Sequence, residues 1–591
     1  MDKRKLIGGI IFLVLTFNFG FVTAQEDLSP EDRRPFIYGT LSLASNIDPH
    51  FAWDGSSINF IDQICEGLFA YDLESENLNI VPILAANAGI WNENSTEYTV
   101  ELKREIVFHD GSPFNAQAVK WSFDRLTSIL IQGRTPFAEL YKPLAEIYPT
   151  RPLLLNETRI DSEYEVTFKL NYPYIPFLSL LCFSGSKILS SLSTPINESL
   201  QVNSDVLIGT GPFIQQSHTN ERTQFKANEN YWREVPEIRE MFWIKYSDPT
   251  SLQQSLIGGD VHMSEILTSD FYDKFESSEE IELSEPIASA SISFIAMNND
   301  LISLPLRKAI TYAVNYSYII NQIGQGSFMQ MTSIVPPSIT YHNPNVLAPT
   351  MNITHARKLL MDHFTNQSDL LPGETIIDFG VITPTSSDED WRNFAENTPI
   401  CDLNYTYNLG SKNREDIGFL LKDNLKSVGI DLQITGVTFE QYFLKITGNF
   451  HELELFIAGW GADYNDPSNF INPLLKNTSL SNGAQVNDPY LEQLMDAGLL
   501  ESNSTLRRDI YYEIQDYISN DLFPWIHLYY GVVRIAHSTW LSNYPINSLG
   551  YVYFYPCSWQ APAKTISSFN LLLFFTISLG TIYFIVIRKR K

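Results

Sequence analysis

The sequence predicts a mixed α/β fold of several closely packed domains, held between a secretory signal and a C-terminal transmembrane helix. Three observations lead there. Segments of alternating apolar residues are interleaved with segments whose apolar residues recur at helical spacing. The 591 residues, 44% of them hydrophobic, supply several cores of ordinary size. The two ends differ from the rest, each being an apolar run bordered by basic residues.

At the N-terminus, Lys3, Arg4 and Lys5 precede an apolar run from Leu6 to Val22. Val22-Thr23-Ala24 before Gln25 has the small-residue pattern of a cleavage site, so residues 1–24 are expected to be a signal peptide and the bulk of the chain to be exported. At the other end, residues 566–587 carry no charge, and Arg588-Lys589-Arg590-Lys591 follow at once. A stretch of about 20 apolar residues crosses a bilayer as a helix, and basic residues stay on its cytoplasmic side. The expectation is a cell-surface protein with a single retained span, the exterior part outside and residues 588–591 inside.

Without the two ends the exterior part holds 33 basic residues against 67 acidic ones, a net of −34. Phosphate backbones are gripped by basic patches, so no nucleic-acid partner is expected. Cys65, Cys182, Cys401 and Cys557 lie far apart, form no C-x-x-C pair, and could make up to two disulfides in any of three connectivities. Nine N-x-S/T sequons, at Asn94, Asn156, Asn197, Asn315, Asn352, Asn366, Asn404, Asn477 and Asn503, are candidates for N-glycosylation.

The exterior elements follow in order. "FIYGTLSLASNIDPH" reads as a strand that breaks at Asp48-Pro49. Tyr98, Val100 and Leu102 share one strand face; Asp110-Gly111 then makes a turn, and Asn115 caps a helix with Val119, Phe123 and Leu126 inward. Gly209 to Trp232 reads as a Gly-Pro bend feeding a hairpin. A helix is expected from Leu306 to Ile323, another ending at Gly429 before the strand from Ile430 to Ile434, and a last one through Leu506, Ile510, Ile514, Tyr517 and Ile518.

Catalytic signatures are missing. There is no H-E-x-x-H, G-x-S-x-G or P-loop, Pro212 spoils "GTGP" as a dinucleotide fingerprint, and the ten histidines show no metal-ligand spacing. No cofactor or metal is expected, and His109 reads as a turn residue. Asp110, Asp463 and Asp466 are the carboxylates that could do acid/base work. Asp466 stands in an Asp-Pro-Ser-Asn turn, where its carboxylate is expected to take nearby backbone N–H groups. Asp463 follows the apolar run "LELFIAGW", a buried strand; a carboxylate at such a strand end needs a partner or a wet cleft.

The segments "VPILAANAGIW" with "YTVELKREIVFHDGSPFNAQAVKWSFDRL", "IGTGPF" with "KANENYW", "PLRKAITYAVNYSYII", "LKSVGIDLQIT" and "AGWGADYNDPSNF" resemble, in order and spacing, the extracellular solute-binding proteins of family 5. These are the oligopeptide- and dipeptide-binding receptors of ABC importers. The resemblance runs from about Tyr38 to about Tyr530 and implies a two-lobed periplasmic-binding-protein-like α/β fold (type II, cluster C) with an extra inserted domain. By that pattern lobe I is 35–63 with 206–285 and 536–562, the inserted domain 64–205, and lobe II 286–535.

In peptide-binding members an Asp of a W-x-x-D-Y motif grips the ligand's α-amino group, and Asp463 is the match here. The resemblance further implies a ligand site of Trp460, Gly461 and Tyr464 beside Asp463, with Trp53, Asp54 and Gly55 opposite, Trp53 and Trp460 forming cleft walls. It implies a monomeric receptor, not an enzyme, that delivers to separate ABC permease subunits. Two departures, the C-terminal membrane helix and Asn315 where many relatives have Asp, leave the ligand class open. An oligosaccharide receptor stacking sugars on Trp53 and Trp460 is the alternative reading, and a surface hydrolase using Asp463 and Asp466 a more distant one.

Overall fold

The structure, a computed structural model, describes residues 34–75, 78–144, 149–150, 152–366, 370–448 and 452–560. The expected signal peptide, the C-terminal apolar run and the basic tail lie outside these residues. Among the described residues no helix is long and apolar enough to cross a membrane.

Two sheets organise the molecule. The first has seven strands in the order Ile281–Leu283, Ala536–Ser538, Met263–Ser264, Phe36–Thr40, Glu240–Lys245, Arg222–Ala227, Phe213–His218. Its central strand Phe36–Thr40 is parallel to both neighbours, and buries Phe36 and Tyr38 against Trp243, Phe554 and Trp559. The second has six strands in the order Phe328–Gln330, Trp525–Val533, Ile287–Met297, Leu455–Gly461, Asp402–Asn408, Asp431–Val437. Its last two strands are parallel because helix Lys412–Lys426 carries the chain back between them, and Gly429, at φ +90°, ends that crossover in a conformation that favours glycine.

A third layer is inserted in sequence between the strands Phe36–Thr40 and Phe213–His218 of the first sheet. Strands Ile90–Trp91, Glu97–Glu101, Glu165–Leu170 and Leu155–Ser162 form an antiparallel sheet covered by helix Ala116–Ile131. Tyr98, Val100 and Leu102 face the core together, and Asn115 caps the helix by accepting from the Gln117 and Ala118 amides.

The "GTGP" bend joins this part to the first sheet. A side chain at Gly209 or Gly211 would meet the Ile64 carbonyl oxygen at 2.1 or 2.6 Å, so only glycine permits that approach. His109 donates its backbone N–H to the Gly209 carbonyl, and its Nε2 lies 2.9 Å from the Gly211 carbonyl; burial lowers its pKa. Asp110 closes the same turn. Burial opposes its charged form, but hydrogen bonds from Ser112, Ser190 and Ser193 prevail and bring its pKa down to about 2.

The chain crosses between the two large sheets at two adjacent places, after Leu283 and after Val533. The crossings are tied together: Ser284 donates its N–H to the Ile535 carbonyl at 2.9 Å, and Ile535 returns one to Ser284 Oγ at 3.0 Å. Two antiparallel connectors bonded in this way have the geometry of a hinge between the sheets.

Some expectations change. The helix expected from Leu306 to Ile323 stops at Ala313; Val314 is extended, Asn315 caps a new turn at Tyr318, and Ile319–Ile323 is a π-helix. The first strand ends at Thr40, because residues 41–54 turn away to dock on other elements. All four cysteines are free thiols, Cys65, Cys182 and Cys557 buried and Cys401 half-buried. Of the nine sequon asparagines, Asn315 and Asn404 are half-buried and the other seven exposed.

Candidate ligand-binding site

Strand Leu455–Gly461 carries the carboxylate of interest to the gap between the sheets. It pairs along its length with Ile287–Met297, but with its other neighbour only at Leu455 and Phe456. Among the described residues no strand pairs with that edge from Ala458 onward. Ala462 donates its N–H to the Ala290 carbonyl at 2.9 Å, so the alternation of an antiparallel ladder turns the backbone groups of Gly461 and Gly459 to the open side. An extended chain could add there by ordinary strand pairing.

At the strand end Asp463 faces Trp53 of the first lobe. The Trp53 indole N–H donates to Asp463 Oδ1 at 2.7 Å, and the Asn469 carboxamide donates to Oδ2 at 2.9 Å while its oxygen accepts the Asp463 backbone N–H. Burial raises the Asp463 pKa above the ordinary value, and these two neutral donors oppose it in part. Among the described residues no Lys or Arg forms an ion pair with it. A cavity of about 330 Å³ opens beside it, lined by Trp53, Gly55, Trp460, Gly461, Asp463 and Tyr551 among others.

Five of the seven expected site residues therefore meet at one cavity. Two do not. Asp54 is the N-cap of helix Gly55–Ile64, accepting from the Ser57 amide at 2.9 Å and from the Ser45 and Ser57 hydroxyls. Tyr464 turns away from this cavity into the core of the inserted layer, its hydroxyl 3.2 Å from that of Tyr174, and lines a second cavity beyond the two indoles.

Two buried ion pairs hold the walls. Asp48 and Arg125, both side chains 0% exposed, form a bidentate pair at 3.0 and 2.6 Å. Arg125 also donates to the Pro195 and Glu198 carbonyls and to His50 Nδ1; burial, then the Arg125 charge, pushes His50 down to about 3 and keeps it a neutral acceptor. The turn before Trp53 is thus bolted to the inserted layer. On the opposite wall Asp466 accepts from the Ser468 amide, as a turn aspartate should, and also takes Arg507 at 2.7 and 3.0 Å. This second commitment leaves Asp466 no freedom for acid/base chemistry with Asp463.

Gly461 permits a direct check of the cavity. A side chain built there meets nothing within 4 Å, and its backbone is not in the left-handed region. Gly461→Val should therefore fold with a stability change of at most about 1 kcal/mol. It should nonetheless cut ligand affinity at least about 10-fold, because the isopropyl group fills space beside the open edge. Titration calorimetry beside a melting curve reads both quantities.

Two packed α/β lobes, hinged by paired connectors and enclosing a cavity with a recessed carboxylate, are the architecture of a two-lobed solute-binding protein. The chain belongs to the bacterial extracellular solute-binding proteins of family 5: the model for that family's middle region matches residues 79–482. It is 23% identical over 558 residues to heme-binding protein A of Haemophilus influenzae, covering 91% of this chain and 94% of that protein. To the dipeptide-binding protein of Escherichia coli it is 22% identical over 509 residues, covering 82% and 85%. Among solved structures, the periplasmic binding protein DppA of Helicobacter pylori in complex with the peptide STSA has a TM-score of 0.69 at 20% identity, over 89% of this chain and 98% of that one. At that identity the likeness shows the fold.

Proposed function

We propose that this chain is a receptor that captures peptides between its lobes by their free amino end and delivers them to an ABC permease, tethered to the membrane by its C-terminal apolar run. The observation that carries the reading is the state of Asp463, a carboxylate recessed at the lobe junction whose side-chain donors among the described residues, Trp53 and Asn469, are both neutral. Desolvating a charge is costly unless a counter-charge arrives. An ammonium group supplies it, whereas the hydroxyls of a neutral sugar leave the charge uncompensated. The open edge at Gly459 and Gly461 complements the other feature common to all peptides, their backbone.

Calorimetry with matched free and N-acetylated peptides tests the reading. Acetylation removes the ammonium and should weaken binding about 10- to 100-fold, the worth of a charge-assisted hydrogen bond. Equal affinity for the two forms would remove the role given to Asp463.

A further inference from the structure

A second and larger cavity, about 480 Å³, lies on the far side of the two indoles and shares Trp53 and Trp460 with the first. One wall comes from residues 135–143 of the inserted layer and the other from residues 460–480 of the second lobe. Three side chains on it carry buried polar atoms without partners: Trp460 through Nε1, Thr135 through Oγ1, and Asn472 through both its amide nitrogen and its oxygen. Each such atom costs about 1–3 kcal/mol, and their gathering on one cavity points to a ligand that completes them. The Asn472 carboxamide offers a donor and an acceptor together, the complement of a peptide group.

The same cavity holds an uncommitted cation. Lys476 on its wall is paired with Asp496 at 2.9 Å, but among the described residues Lys142 has no ion pair. Glu139 lines the cavity too, and burial raises its pKa with no cation holding it down.

We propose that the bound peptide is longer than a dipeptide: from an amino end at Asp463 it passes between Trp53 and Trp460, and its later peptide groups and carboxylate end occupy the second cavity against Asn472 and Lys142. This rests on the reading of Asp463 as the amine site. The first cavity alone lies at the small end of the ~300–1,000 Å³ typical of ligand pockets, and the two joined fall well inside that range.

The experiment is calorimetry on the full chain with alanine peptides from two to five residues, each with a free and an amidated C-terminus. Wild type is compared with Asn472→Leu and Lys142→Met, after melting curves show that both variants fold. Affinity should rise at least about 10-fold from the dipeptide to the tri- or tetrapeptide. Asn472→Leu should remove that gain and leave dipeptide binding unchanged. Amidation should weaken the longer peptides about 5- to 10-fold in wild type and have no effect in Lys142→Met.

A dipeptide that binds as tightly as its longer relatives, or variants that keep the full length dependence, would overturn the proposal. Adding N-acetylated peptides separates the two readings. Binding lost on acetylation but indifferent to length sinks this proposal alone, whereas binding indifferent to acetylation, or absent for every peptide, sinks both.

Discussion

Arg125→Met should destabilise the protein by about 3–5 kcal/mol, the usual cost of leaving one member of a buried ion pair without its partner. The methionine fills much of the vacated volume, so the loss is chiefly electrostatic. Asp48 keeps the amides of His50 and Leu200 as donors, but these do not replace a guanidinium. Adding Asp48→Asn to the variant should recover part of the loss, because the remaining group is then neutral; the two amides it still serves favour a residue with an acceptor oxygen. Urea denaturation of the single and double variants measures both effects. A second consequence reaches the ligand: the Asp48 turn sets the path of the chain to Trp53, so Arg125→Met should also weaken binding although it touches no part of the cavity. A single-variant loss below about 1 kcal/mol would show that the pair does not bolt the turn.

Asp463→Asn should reduce peptide affinity about 10- to 100-fold. The carboxamide oxygen can still accept from Trp53, so the wall stays in place, but the charge is gone and the Asn469 NH₂ loses an acceptor. The pH profile separates charge from shape. With a C-terminally amidated peptide, whose ammonium is protonated throughout, Asp463 sets the acid limb of wild-type affinity. That affinity should be level near neutrality and fall as pH drops through the Asp463 pKa, starting higher than the ~3.9 of an ordinary aspartate because burial has raised it. In the unliganded protein the sign is opposite. A raised folded pKa means that the native state holds its proton longer than the unfolded one, so this group's contribution to stability worsens as pH rises through that window. Asp463→Asn should flatten both curves, and a variant that kept the wild-type acid limb would move the effect to another group.

Local features of the fold were legible in the sequence where short-range rules decide them. The Asn115 cap, the stop at Gly429 and the strand carrying Asp463 each depend on a few neighbours. The placement of Trp53 beside Asp463 came from the resemblance, since those residues are 410 apart in sequence. Side chains governed by distant partners were not legible. Arg125 and Arg507 carry no local signal of their ion pairs, because their carboxylates lie 77 and 41 positions away. Tyr464 read as a site residue beside Asp463, but the strand ends at Gly461, and the alternation that would aim it into the same cavity ends there too. Asn472 and Lys142 gave no signal, since an unpartnered amide or ammonium is recognisable only when its surroundings are known. The break after Ala313 was hidden because apolar periodicity resumes in the π-turn, and Asn315 was the one local cue.

The bond between Ser284 and Ile535 has a consequence for how this molecule can signal. If the halves close on a ligand as proposed, two connectors fastened side by side favour a swing about one line over sliding. Every closure then returns Trp53 to the same address on the opposite half, whatever cargo lies between. On the proposed function, a transporter docked outside need not inspect the cargo at all; one angle tells it whether the jaws are full.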